Sequence, residues 1–118
     1  MKISRILLAA CVLAGASFIK AASAAEPIEG TWKRTSGTLI KYSAAGGNKF
    51  CGKVLNGEYQ NQSIGCMTGS GNNYTGQVIK LDEGKTYTGK ATVSGNTLKL
   101  AGCVLGGLVC KSENLKRQ

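Results

Sequence analysis

The chain has 118 residues, with 15 Lys and Arg against 6 Asp and Glu, five cysteines, 17 glycines and no histidine. Its length fits one domain after a leader. The absence of histidine removes the usual general base for serine or cysteine nucleophiles and the commonest metal ligand, so most hydrolase mechanisms are excluded. The expectation is a protein that is not an enzyme and holds no cofactor or metal.

The first residues carry an address. Lys2 and Arg5 precede an apolar run from Ile6 to Ile19, and Ala22-Ser23-Ala24 supplies a small-residue cleavage site, the layout of a secretory signal peptide. The run has 14 residues, short of the roughly 20 that a membrane span needs, so no transmembrane span is expected. Leu8-Ala9-Ala10-Cys11 resembles a lipoprotein processing box, but only Ile6 to Ala10 stand before it as apolar core, which disfavours lipid anchoring at Cys11. The reading is a signal peptide over 1–24, one domain over 25–118, and export to the periplasm. Losing Lys2, Arg5 and Lys20 leaves 12 basic against 6 acidic residues, a net charge of +6.

After Ala25 no helical period of useful length appears, and short alternating stretches are divided by Gly, Asn and Asp. Strands are predicted over Gly30–Thr35, Thr38–Ser43, Lys49–Leu55, Glu58–Gln62, Ile64–Thr68, Asn73–Leu81, Lys85–Val93, Thr97–Val104 and Leu108–Lys116. The breaks between them, such as Asn56-Gly57, Ser70-Gly71-Asn72, Ser94-Gly95-Asn96 and Gly106-Gly107, tolerate the positive φ of tight hairpins. Consecutive hairpins form a meander, and a meander of about eight strands hides its edges by closing. The fold class is therefore all-β, a small up-and-down β-barrel of lipocalin-like style.

Glycines inside strands, such as Gly52, Gly76, Gly89 and Gly102, let the sheet bend. Phe50, Tyr74 and Tyr87 each precede such a glycine by two residues and so share its face. That spacing points to a ring covering bare backbone. The repeat of Tyr74-Thr75-Gly76 in Tyr87-Thr88-Gly89 is then packing rather than a ligand motif.

Four cysteines follow the leader: Cys51, Cys66, Cys103 and Cys110. The gaps between them are 14, 36 and 6 residues, which does not suit the close pairs of zinc sites, and an exported chain favours two disulfides. A two-residue turn at Gly106-Gly107 sets Cys103 opposite Cys110 at a hydrogen-bonded position, with Cα atoms about 5.5 Å apart. Cys51–Cys66 then follows by subtraction, with other connectivities left open. Asp82-Glu83, the one adjacent acidic pair, sits in a turn, where acids are ordinarily solvated.

Gly30-Thr31-Trp32, Phe50-Cys51-Gly52-Lys53-Val54, the run from Asp82 to Lys90 and the run from Leu98 to Cys110 together resemble domain of unknown function 2147, a family of small exported bacterial proteins. The resemblance implies a compact barrel in which a first-strand Gly-x-Trp closes one end beneath a basic residue of the last strand, here Trp32 with Arg117 or Lys116. Two features depart from the family pattern: the insertion after the Cys51-Gly52-Lys53 strand shrinks to 56–63, and the last strand ends Leu115-Lys116-Arg117 instead of Trp-x-Arg. The family brings no established activity.

The function expected on these grounds is an envelope protein that binds a small apolar or amphiphilic ligand or an anionic envelope component. Trp32, Tyr42, Phe50, Tyr74 and Tyr87 are the candidate lining residues. Lys49, Lys53, Lys80, Lys85, Lys90, Lys99 and Lys111 suggest a solvated basic surface attracted to anionic lipid or acidic partners. Nucleic acid is not an expected partner, because the basic residues form no dense cluster. The alternative is a protein-binding module: Ser70-Gly71-Asn72-Asn73-Tyr74 resembles the segment by which small periplasmic lysozyme inhibitors engage their target.

Overall fold

The computed structural model describes residues 25–118; the expected leader, the cleavage site expected at Ala22-Ser23-Ala24 and Cys11 lie outside the described residues. Eight antiparallel strands follow one another around a closed barrel: β1 Gly30–Lys33, β2 Leu39–Ala44, β3 Lys49–Val54, β4 Ser63–Ser70, β5 Asn73–Lys80, β6 Lys85–Ser94, β7 Thr97–Val104 and β8 Val109–Arg117. Each pairs with the next, and β8 returns to β1 through Trp32↔Arg117 and Lys33↔Lys116. Closure leaves no free edge, which is the reason a chain of short hairpins settles on this form.

Alternation places the core. Along β3, Phe50, Gly52 and Val54 are buried, while Lys49 and Lys53 are exposed, the period of two expected of a strand with one wet face. The Gly95-Asn96 break becomes a two-residue hairpin between the paired Ser94 and Thr97, with Gly95 at φ 58°. A bulge interrupts β3–β4: Gly52 pairs with Gly65 and Lys53 with Ser63, so Ile64 is an extra residue, and both Ile64 and Gly65 face inward.

The expected strand over Glu58–Gln62 is a turn segment instead. The amides of Gln60 and Gln62 donate to the carbonyls of Gly57 and Tyr59, and Asn61 takes a positive φ of 73°. That stretch has one apolar residue, Tyr59, to bury, too little to hold a strand against a sheet. Val54 and Gln62 are instead linked across its base, with the Val54 amide donating to the Gln62 carbonyl at 2.9 Å.

One barrel end is sealed. The segment Glu26–Glu29 turns across it, and Ile28 inserts fully buried beside the fully buried Trp32. The Trp32 indole donates to the Ile28 carbonyl at 2.9 Å. The Arg117 guanidinium lies 4.2 Å from the centroid of the Trp32 ring and donates to the carbonyls of Pro27 and Glu29 at 2.8 and 3.2 Å. Of the two expected basic partners, Arg117 takes the role; Lys116 points outward and donates to Thr97 Oγ1. Above this floor, Phe50 and Tyr74 meet edge to face at 5.8 Å, among Tyr42, Met67, Leu98 and Leu115.

Both expected disulfides are present, Cys51–Cys66 and Cys103–Cys110, each between directly paired residues. Their Cα atoms stand 4.0 and 4.1 Å apart. The Cys103–Cys110 site is therefore the closely spaced, non-hydrogen-bonded kind rather than the wider kind expected. The reason is the turn: Leu105 to Leu108 form a four-residue connection with a short 3₁₀ turn, and the last strand pair is Val104↔Val109. Widening the loop by two residues keeps Cys103 opposite Cys110 and shifts the bonding phase of the ladder by one.

The strand glycines are covered from neighbouring strands rather than by the aromatic two residues before them. The Tyr42 ring lies against Gly52, Tyr74 against Gly69 and Tyr87 against Gly102. Met67 and Val78 fill the space over Gly89, and Gly76 lets the Cys66–Met67 backbone come close. Cross-strand neighbours on one face stand closer together than residues i and i+2 of the same strand, so the rings pack across.

Candidate functional site

The interior changes character along the barrel axis. Inward positions near the sealed end carry Trp32, Tyr42, Phe50, Met67 and Tyr74, which fill the cross-section. Toward the other end the inward positions carry Ile40, Val54, Ile64, Val78 and Leu100, with Gly102 opposite Lys111. These side chains are smaller; Ile40, Val54 and Ile64 join the buried core, and Val78 and Leu100 pack against it. They leave an open-mouthed cavity of about 810 Å³, within the range of sites that hold small organic ligands.

The five sequence-predicted lining residues divide accordingly. Tyr87 lines the cavity wall. Trp32, Tyr42, Phe50 and Tyr74 stand in the packed core beneath it, each at most 3% exposed. Sequence reasoning passed over the aliphatic wall, which an inward-face tally taken strand end by strand end shows as a run of small and β-branched residues.

Charged groups ring the mouth. Arg34, just past β1, forms a bidentate contact with Glu113 of β8, with Nε 3.1 Å from each carboxylate oxygen and Nη2 at 2.9 Å. Across the opening, Lys80 reaches Asp82 at 3.0 Å and Glu83 at 3.3 Å, and the Tyr87 hydroxyl donates to Glu83 at 2.7 Å. The bond to Asp82, and next that to Glu83, holds the Lys80 ammonium above its ordinary pKa, while Lys80 holds Asp82 below the usual carboxylate range. Glu83 is lowered first by the Tyr87 hydroxyl and then by Lys80, and Tyr87 is raised in turn by Glu83. The acidic turn expected from sequence is thus part of a small hydrogen-bonded cluster. Lys111 lines the mouth and makes no ion pair among the described residues. Of the lysines expected on the outer surface, Lys80 and Lys111 face this opening instead.

Beneath the cavity, the Tyr42 hydroxyl is buried without a hydrogen-bond partner among the described residues, and burial pushes its pKa far up. Its ring packs at Gly52 beside Ile64, which is also a wall residue. The loop weighed as a protein-binding segment lies at the sealed end. There Tyr74 turns inward, its hydroxyl donating to the Gly71 carbonyl at 2.7 Å, and the Gly71 amide is held by Glu26 at 2.9 Å. No tyrosine is presented outward by that loop.

No curated protein and no solved structure matches the chain. Residues 61–117 match the model of a family described as an uncharacterized protein conserved in bacteria (DUF2147). The matched stretch begins just before β4 and takes in the Asp82–Lys90 run and the whole Cys103–Cys110 hairpin, whereas Gly30-Thr31-Trp32 and Phe50–Val54 lie ahead of it. From β4 to β8 the chain is similar to this family of uncharacterised bacterial proteins.

Proposed function

We propose that the protein is a non-catalytic, lipocalin-like carrier in the bacterial envelope that holds a small apolar or amphiphilic molecule in the open end of the barrel. The single observation behind this reading is the cavity of about 810 Å³ walled by Ile40, Val54, Ile64, Val78 and Leu100. An apolar chain placed there is removed from water on all sides but one, at about 25 cal/mol for each Å² of apolar surface covered. The mouth supplies the polar complement. Arg34 and Glu113 neutralise one another, the Lys80–Asp82–Glu83 group keeps one negative charge in excess, and Lys111 adds an ammonium outside these pairs, so a neutral or zwitterionic polar head suits the opening.

The test is a titration with a fluorescent lipophile such as N-phenyl-1-naphthylamine. Saturable binding to one site is expected, with loss of at least tenfold in affinity when Val78→Trp or Leu100→Phe fills the cavity. Non-saturable fluorescence, or equal binding by the filled variants, overturns the reading.

A further inference from the structure

The largest exposed aliphatic side chains of the described residues sit together at one place. Leu105 is 72% and Leu108 87% exposed at the tip of the β7–β8 hairpin, and Val104 and Val109, which pair at its base, are 42% and 52% exposed. Four aliphatic side chains within six residues, separated only by Gly106-Gly107, make a protruding apolar knob. Scattered surface leucines need no explanation, but a contiguous apolar patch on a projecting loop does.

The knob is also stiffened. Cys103–Cys110 ties the two strands immediately behind it, so the tip has no route to fold its leucines back onto the barrel. It stands at the cavity mouth, since Val104 and Val109 belong to the rim. Its immediate charged neighbours are cationic. Lys111 follows Cys110, and the Lys90 ammonium reaches to 3.9 Å of the Cβ position at Gly107. The nearest acid along the hairpin, Glu113, is engaged by Arg34.

We infer that the β7–β8 tip is a membrane-docking element that seats its leucines in the interfacial layer of an anionic bilayer, with Lys90 and Lys111 against the lipid headgroups. A convex aliphatic tip flanked by ammonium groups matches the layering of a bilayer surface, apolar below and negative above. A protein partner would need a matching pocket. The tip also lacks the aromatic and arginine side chains that dominate protein interfaces. The overall charge of +6 after the leader favours approach to the same surface. Docking of the tip stands apart from what the cavity holds, but it would place the mouth against the lipid from which an amphiphile comes.

Residues 25–118, which form the whole barrel, are to be floated with vesicles of phosphatidylglycerol and phosphatidylethanolamine and with vesicles of phosphatidylcholine. Binding to the anionic vesicles is expected. It should fall at least tenfold in Leu105→Ser/Leu108→Ser and several-fold in Lys90→Gln/Lys111→Gln, with circular dichroism and disulfide content unchanged. In Leu108→Trp the new indole should shift its emission to the blue on anionic vesicles, a signal that the buried Trp32 does not give. Vesicle binding that survives the serine pair, or an unshifted Leu108→Trp emission, overturns the inference. So does concentration-dependent dimerisation that the serine pair abolishes without vesicles, which would assign the tip to a second copy of the chain. Lipophile binding in the absence of vesicles should persist in the serine pair, and vesicle binding should persist in Val78→Trp, so failure of the cavity reading and failure of the docking reading are told apart.

Discussion

Arg117, the penultimate residue, lies over the ring of Trp32 at 4.2 Å and bonds the carbonyls of Pro27 and Glu29, so one guanidinium joins the first strand, the last strand and the turn that plugs the barrel. The β1–β8 seam has only two paired positions, the shortest ladder of the barrel, and this contact stands at its end. Arg117→Ala should cost about 2–4 kcal/mol, from the lost cation–π contact and two carbonyls left without their charged donor. Arg117→Lys keeps the charge but loses the fork that reaches both carbonyls, and should cost about 1–2 kcal/mol. Urea unfolding midpoints measure both. A lysine variant as stable as the parent would show that charge alone matters at this position, and one as unstable as the alanine variant that the fork alone does.

The Tyr42 hydroxyl inverts the usual expectation for a core truncation. Removing atoms from a core normally costs stability, but this oxygen is buried without a partner among the described residues, and an unpaired buried hydroxyl is itself unfavourable by about 1–3 kcal/mol. Tyr42→Phe should therefore be neutral or stabilising. It also bears on alkaline behaviour. Burial raises the folded-state pKa of Tyr42 above its ordinary value of 10.0, so the folded form resists losing the proton and the unfolded form does not. The stability this group contributes is complete below the unfolded pKa and declines as pH rises beyond about 10. Unfolding midpoints measured from pH 8 to 11 should fall less steeply in Tyr42→Phe than in the parent.

Strand glycines separate into those that need their missing side chain and those that do not. A Cβ at Gly76 would be driven into the Cys66 carbonyl oxygen and to 2.9 Å of the Met67 Cα, both backbone atoms that cannot swing aside. At Gly102 it would meet only the Tyr87 side chain, 3.4 Å away. Gly76→Ala should destabilise by about 2–4 kcal/mol or prevent recovery of soluble protein, and Gly102→Ala should change stability by less than about 1 kcal/mol. Parallel urea titrations decide it, and similar midpoints for the two variants would count against the close approach of β4 and β5.

Much of this architecture was legible in the chain because strands and hairpins are local. Alternation in Lys49–Val54, the Gly95-Asn96 turn and the opposition of Cys103 to Cys110 each need only a few residues to be read. The phase of the Cys103–Cys110 pair was not legible, since it depends on whether two or four residues make the turn, and Leu105 adopts a positive φ of 54° that its type does not announce. The covering of Gly52 by Tyr42 depends on register between strands, which no single strand encodes. The cavity was hidden for a related reason. Aromatic side chains draw attention as ligand-lining groups, yet Trp32, Tyr42, Phe50 and Tyr74 are large enough to fill the barrel where they stand, and the hollow lies where small residues such as Val54, Val78 and Gly102 leave space. Strand direction carries that information: the start of β3 and the end of β4 lie at the sealed end, so inward bulk has to be summed by barrel end rather than along the chain.

The two disulfides close loops of different length and serve different parts of the fold. Cys51–Cys66 spans 15 residues and ties β3 to β4 across the turn segment that replaced an expected strand; Cys103–Cys110 spans 7 and ties only the hairpin carrying the apolar tip. Loop-closure entropy gives about 3 kcal/mol for the longer loop and about 2.4 kcal/mol for the shorter. Replacing Cys51 and Cys66 together by alanine should lower global stability by more than replacing Cys103 and Cys110. The second replacement should have the larger local effect, with faster amide hydrogen exchange confined to Val104–Lys111 and weaker vesicle binding at unchanged lipophile affinity, because the leucines are then no longer held out from the barrel. Exchange mapped by mass spectrometry distinguishes the two effects. If removal of Cys103–Cys110 instead accelerates exchange throughout the barrel, the hairpin is a structural keystone and not a local support for the tip.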